Sequence, residues 1–266
     1  MSDVATESYE PRSTQLSDLS WPEVREAIAA GWDTVIVAAG SIEQHGPHLP
    51  LLTDTLIGDG LGAAVVARLS RAFQGPTISL GCSEHHMAFP GTITMEKATF
   101  IAVASDYARS LSRHGFRHVF FVPSHGGNFA PLREAVDALG GRIGETTVAT
   151  FSNLLEFVEV LNSSQLPFDV TAERAGAHAG ETETALVMHL RPDLVLADRA
   201  AEGYVGPFGQ EQSEIIFRDG MTALTPNGIL GDARGAEAEF GVAALDAVAE
   251  YLASWVESVR TGSAGI

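Results

Sequence analysis

Short apolar runs alternate along this chain with longer stretches in which apolar residues recur every three or four positions. Thr34-Val-Ile-Val-Ala-Ala39 is unbroken, β-branched and apolar on both faces, as a central strand covered by helices on each side would be. Pro76-Thr-Ile-Ser-Leu80, His118-Val-Phe-Phe-Val122 and Thr146-Thr-Val-Ala-Thr-Phe151 read as further strands. Between them, Ile57, Leu61, Ala64, Val65 and Leu69 make a helical stripe across 55–73, and Phe100, Ile101, Ala104, Tyr107, Ala108 and Leu111 make another across 96–114, ended by Gly115. Ser20-Trp-Pro-Glu23 has the form of a capping box with Pro in the first turn, predicting a helix that stops near Gly31. Helices are also expected over about 131–139, 154–161, 181–190 and 236–259. This alternation predicts an α/β fold whose mostly parallel sheet is sandwiched between helical layers. Residues 1–15 are polar and carry Pro11, so they are expected to form a flexible N-terminal arm, with 16–260 a single domain and a disordered tail after it. Residues 201–235, rich in Gly and Pro, predict a long irregular excursion that covers a site or contacts a neighbouring subunit.

The strands empty into polar loops. Gly40 to Asp54 reads G-S-I-E-Q-H-G-P-H-L-P-L-L-T-D; Gly81 to Thr92 and Pro123 to Asn128 follow two other strands, and Ala175-Gly-Ala-His-Ala-Gly180 opens the helix at Glu181. In a parallel sheet such loops meet at the carboxyl edge. Glu43 and His45, two apart, would project from one face if the strand continues to His45, and Asp54 could return to the same point. Glu43, His45, Asp54, His125 and Glu181 combine hard oxygen donors with imidazole, which suits Zn, Mn or Fe. Five such ligands with a shared carboxylate suit two ions about 3.5–4 Å apart. Each residue also has a plainer reading. Glu43 and His45 could be solvated loop residues, Asp54 an N-cap, and Glu181 and Glu183 first-turn acids favoured by the helix dipole. His125 precedes Gly126-Gly127, a pair that lets backbone approach closely, so a structural role explains it less well. His85, His114, His118 and His189 read as surface or packing residues, and Cys82 as a packed small residue.

Composition narrows the partners. With 16 basic and 34 acidic residues the formal charge is −18, which repels phosphate backbones and anionic lipid and argues against nucleic acid as a partner. No apolar run approaches the roughly 18–20 residues needed to span a bilayer, so no membrane partner is expected. The lone Cys82 excludes an intrachain disulfide, and the first residues lack the basic and apolar regions of a signal peptide; a cytoplasmic protein is expected. Apolar residues at 45% are ample for a buried core.

Five ordered motifs carry a family resemblance: Ser41–Asp54, Glu84–Thr92 (E-H-H-M-A-F-P-G-T), Ser124–Asn128 (S-H-G-G-N), His178–Glu183 (H-A-G-E-T-E) and Gly228–Asp232 (G-I-L-G-D). Together they resemble the creatininase, or creatinine amidohydrolase-like, family over about residues 20–255. The resemblance implies a three-layer αβα fold and two divalent metal ions per subunit, Zn first and Mn or Fe as alternatives. It also implies hydrolysis of a C–N amide bond by metal-activated water, and a homo-oligomer, a hexamer being favoured. Glu43 and His125 would hold one metal, His45 the other, and Asp54 would bridge them. Creatininase proper has a Tyr-Glu pair after the histidine equivalent to His125, its glutamate binding metal; Gly126-Gly127 stands here instead, which assigns the fifth ligand to Glu181 and argues against creatinine as substrate. His178 is the expected proton shuttle and Glu183 the second choice. Ser83, His86, Gly126, Gly127 and Asn128 are expected to contact a small-molecule substrate. The expected activity is hydrolysis of a small cyclic amide or a formamide, with deformylation or peptide trimming as alternatives within the family. A non-catalytic ligand sensor on the same fold is the alternative of another class.

Overall fold

The computed structural model describes residues 9–263. In chain order it consists of α1 (Trp21–Ala29), β1 (Thr34–Ala39), α2 (Thr53–Val66), β2 (Ala72–Gln74), α3 (Lys97–Arg113), β3 (His118–Pro123), α4 (Phe129–Ala138), β4 (Arg142–Ile143), β5 (Thr146–Thr150), α5 (Leu154–Ser163), α6 (Ala172–Ala175), α7 (Glu181–Leu190), α8 (Gln210–Asp219) and α9 (Ala238–Arg260), with short 3-10 turns between them. The sheet has five strands in the order β2-β1-β3-β5-β4. All neighbours are parallel except β4, which closes the edge antiparallel to β5.

Alternate residues of the central strands feed two cores, as a strand covered on both faces requires. Val35, Val37, Val119 and Phe121 pack towards α1, α3 and α4 through Ala27, Phe100, Ala104 and Leu132. Ile36, Phe120 and Val122 face α2 and α9 through Leu61, Val65, Val248 and Leu252. This is the three-layer αβα sandwich. Successive strands leave β1 on opposite sides, so the chain reverses direction across the sheet between β1 and β3. That is where loops part to leave a crevice at the carboxyl ends of strands. Thr34 pairs with His118 and Ala39 with Pro123, so the loops after β1 and β3 leave the sheet side by side.

Several expectations shift. The second strand is Ala72–Gln74 rather than 76–80; Ile78 makes only an isolated bridge to Ala39, after Pro76, which has no N–H for a ladder. β1 stops at Ala39, so Glu43 and His45 lie in the loop, and only Ile42 pairs, with Ile93. Leu52 occupies the N-cap of α2, which leaves Asp54 inside the first turn instead of capping it. The capping box at Ser20 and Glu23 is present. Residues 1–8 of the expected arm and 264–266 of the tail lie outside the described residues; the arm's inner end is docked, Thr14 accepting from Gln74 N–H and Gln15 bridging Gln74. The excursion over 201–235 contains α8, which packs towards the loop bearing His85 and His86. Among the described residues no helix is long and apolar enough to cross a membrane.

Candidate metal centre and cavity

The loop after β1 supplies Glu43 and His45, the first turn of α2 supplies Asp54, the loop after β3 supplies His125 and the first turn of α7 supplies Glu183. Asn128 ties this edge together: its amide donates to the carbonyls of Ala39 (3.1 Å) and Gly40 (2.9 Å) and accepts from Cys82 N–H (3.0 Å). Gly127 is required at its place, because a Cβ there would stand 2.1 Å from the Cys82 carbonyl oxygen and 2.5 Å from His125 Nε2.

Each histidine of the cluster is oriented from behind. His45 Nδ1 lies 3.2 Å from the Glu43 carbonyl oxygen and His125 Nε2 lies 3.1 Å from that of Cys82. Since carbonyls only accept, these nitrogens carry the hydrogens, and the opposite ring nitrogens face the carboxylates. His45 Nε2 is 3.1 Å from Asp54 Oδ1 and 3.7 Å from a Glu183 oxygen. His125 Nδ1 is 3.1 Å from Asp54 Oδ2 and 3.2 Å from Glu43 Oε2. One carboxylate thus spans two imidazoles. Both Glu43 oxygens and Asp54 Oδ2 are buried without a directed hydrogen-bond donor. Uncompensated buried charge on this scale is costly, and mutual spacings near 3 Å are those of ligands about 2.0–2.2 Å from a common ion. Glu43, His45 and Asp54 are grouped closely enough to hold one, as are His45, His178 and Glu183.

Protons take up part of the charge. Burial pushes the Glu43 carboxyl up, but His125 and His86 outweigh it and hold it at about 2. Burial and then His45 act in the same opposed way on Asp54, which ends well below the usual carboxylate range. Burial lowers His45, but Asp54 overrides it and raises the ring to about 9; His125 is likewise raised well above its ordinary value, by Glu43 and Asp54 against burial. Glu183 is pushed up to about 7 by burial. Burial, and then the charge on His45, hold His178 well below its ordinary value, so it is neutral.

Glu181 is the expected ligand that the structure does not bring to this cluster. Its carboxylate turns to Arg174 (2.9 Å), while Glu183 faces His45. Residues two apart on a helix point about 200° apart, so only one of the pair can reach the centre. His178 stands beside it, with its ring centroid 4.2 Å from that of His45 and Nδ1 3.8 Å from Glu43 Oε1. His86 Nε2 is 3.3 Å from the same oxygen. Ser83 lies behind the centre, its hydroxyl 3.3 Å from His125 Nε2 and also against Ser41. Asn128, the tie between these loops, is fully buried.

The carboxylates open onto a cavity of about 70 Å³. Glu43, Asp54, His86, His125, His178 and Glu183 line it together with Gly126, and Leu154, Phe157, Ile216, Phe217 and Met221 contribute an apolar wall. His85 lies between this cavity and an outer trough of about 800 Å³. It stacks at 5.6 Å on His125 and meets Phe217 at 4.6 Å, so it is a packed residue, one of the two expected readings, that also lines the cavity. Its position next to His86 in a Gly/Pro-bounded loop was the available signal. The excursion over 201–235, expected to cover a site or contact a neighbouring subunit, does line the cavity through α8, though its Gly- and Pro-rich pattern did not show that a helix does so.

Residues 17–256 match the creatininase family, described as creatinine amidohydrolase. A mycofactocin precursor peptide peptidase from Mycobacterium ulcerans (strain Agy99) is 33% identical over 243 residues, 88% of this chain and 88% of that one. The creatinine amidohydrolase of Pseudomonas putida is 27% identical over 210 residues, 72% of this chain and 77% of that one. A manganese creatininase structure is similar at a TM-score of 0.76 and 27% identity, covering 93% of this chain and 98% of that one. A mutant creatininase of Zn-Zn type is similar at the same TM-score and 26% identity, with the same coverage. From its αβα layers to the carboxylate and imidazole cluster at the sheet edge, the chain belongs to the creatininase family of C–N bond hydrolases.

Proposed function

We propose that this protein is a metal-dependent amidohydrolase that cleaves the C–N bond of a small cyclic amide or a formamide carrying an apolar flank. Glu43 and His125 would hold one divalent ion, His45 and Glu183 the other, and Asp54 both. The observation that carries this reading is the position of Asp54, whose two oxygens each lie 3.1 Å from a different histidine nitrogen. A bound ion pair supplies Lewis acidity and a water acidified towards neutrality. His178, neutral and at the cavity wall, takes a proton at Nδ1 and returns it to the leaving nitrogen. The apolar wall from α5 and α8 excludes water and orients the flank of the substrate. A cavity of about 70 Å³ supports a small reacting group.

Zn- or Mn-loaded protein is tested against lactams, cyclic ureas, formamides and short peptides. Turnover of a small amide or formamide, lost on chelation and restored by metal, is the expected result; no turnover across the panel at full metal content would reject it. A second reading, trimming of a peptide end, is favoured by the 33% identity to a precursor peptide peptidase and by the trough beyond His85, which offers room for a chain. Cleavage confined to the peptide arm of the panel would select it. A homo-oligomer, hexameric by family resemblance, and a cytoplasmic location belong to the same proposal. Leu51, Met87 and Ile93 are exposed apolar groups of the kind a subunit interface covers, and light scattering on the purified chain tests it.

A further inference from the structure

Gln44, between Glu43 and His45, is 5% exposed, and its amide lies beneath Gly228 and beside the rings of His86 and His178. A Cβ at Gly228 would lie 1.8 Å from Gln44 Oε1. Two main-chain groups fix the amide. Gly46 N–H donates to Oε1 over 2.9 Å, and Nε2 donates to the Gly228 carbonyl over 3.2 Å. Exchanging the amide's ends would set N–H against N–H and oxygen against oxygen, so one orientation survives. The second hydrogen of Nε2 then falls to His86 Nδ1, 2.9 Å away. An amide nitrogen only donates, so His86 Nδ1 accepts and the ring's hydrogen sits on Nε2, the atom 3.3 Å from Glu43 Oε1.

The main chain of Gln44 sets His178. His178 Nε2 lies 2.8 Å from the Gln44 carbonyl oxygen, an acceptor only, so Nε2 bears the hydrogen and donates it there. The 3.0 Å approach of the Gln44 amide nitrogen to that atom therefore carries no hydrogen bond. Nδ1 keeps its lone pair and faces Glu43 Oε1 at 3.8 Å. The two rings share a tautomer yet turn opposite edges to Glu43.

We propose that Gln44 is a positioning residue that holds His86 as an N–H donor in the cavity wall, so withholding it from the metal ligands, while its carbonyl keeps Nδ1 of His178 free to accept a proton. Glu43, His86 and His178 are close enough together to hold an ion, but a nitrogen bearing hydrogen cannot ligate. The Nε2–H of His86 is instead available to an amide oxygen and to the charge that develops on it during attack. This last consequence rests on the amidohydrolase reading; the tautomers do not.

The test is histidine ring 15N NMR on the full chain, metal-free, at about pH 8, above the ordinary imidazole value. The His86 signals are assigned by their loss in His86→Gln. The wild type is expected to show both His86 and His178 protonated at Nε2 only. In Gln44→Glu an acceptor replaces the donor, so His86 gains hydrogen at Nδ1 while His178, held by the main chain, keeps its hydrogen on Nε2. His86→Gln is expected to retain the wild-type metal content. A wild-type His86 protonated at Nδ1 overturns the proposal whether or not any variant folds. So does an unchanged His86 spectrum in Gln44→Glu, or loss of an ion in His86→Gln. Failure to hydrolyse any amide would overturn the amidohydrolase reading and leave the nitrogen spectra as they are.

Discussion

Asp54→Asn separates a bridging ligand from a helix-turn carboxylate most directly. The substitution keeps volume and removes one anionic oxygen, and Asp54 stands 3.1 Å from a histidine nitrogen on each side. In the proposed arrangement each donor set, Glu43 with His125 and His45 with Glu183, counts Asp54 as its third member. Protein sites bind structural Zn with about 10–16 kcal/mol, so one ligand in three is worth about 3–5 kcal/mol, or roughly 10²- to 10⁴-fold in affinity for each ion. A helix-terminal carboxylate would cost about 1 kcal/mol of stability and no metal at all. The assay is competition with a chromophoric chelator on metal-free protein, followed by elemental analysis after dialysis, with far-UV circular dichroism confirming the fold. Both ions are expected to weaken together in Asp54→Asn, only one in Glu183→Gln, and neither in Glu181→Gln. Retention of both ions at wild-type affinity in Asp54→Asn would refute the bridge, and loss of an ion in Glu181→Gln would restore the other glutamate as the ligand.

Further outcomes follow from other contacts. His178→Ala should keep both ions while turnover falls about 10²- to 10⁴-fold; steady-state kinetics beside metal analysis checks this, and unchanged turnover removes His178 from proton transfer. Gly127→Ala forces a methyl against the Cys82 carbonyl and should cost about 1–3 kcal/mol in urea unfolding, an unaltered midpoint contradicting the contact. Phe120→Ala in the fully buried centre of the sheet should cost about 3–5 kcal/mol by the same measurement. The Ser20 hydroxyl and amide, with Arg12, hold the Glu23 carboxyl at about 2, below its unfolded value near 4.5. A lowered folded value means stability present above pH 4.5 and lost as pH falls towards 2. Melting curves of Glu23→Gln should therefore fall less steeply over that window, and parallel curves would contradict the box.

The alternation of apolar run and polar loop was enough to read the layers and the edge where chemistry gathers, because strand period and helix period differ and loops after parallel strands share a side. Glu43, His45, Asp54 and His125 could be gathered from the sequence for that reason. Glu181 and Glu183 could not be ranked, since both suit a first turn and only the packing of α7 decides which faces His45. α8 was hidden because Gln210-Glu-Gln-Ser-Glu214 precedes a block of three apolar residues, which breaks the three-and-four spacing. Gln44 went unread because an amide between two candidate metal ligands shows its part only when its partners' donors and acceptors are known.

The depth of the cluster has a consequence for how the protein is supplied. Glu43 and His45 are fully buried and Asp54 is 2% exposed, beneath a wall from α5 and α8. An ion seated on such donors would have to shed several buried ligands before it could leave through the cavity, a slow event compared with diffusion through water. Affinity alone ranks divalent ions in much the same order at any nitrogen and oxygen site. The occupant would therefore be decided by which ion is abundant while the chain folds, making metal identity a record of the protein's synthesis rather than of its present surroundings.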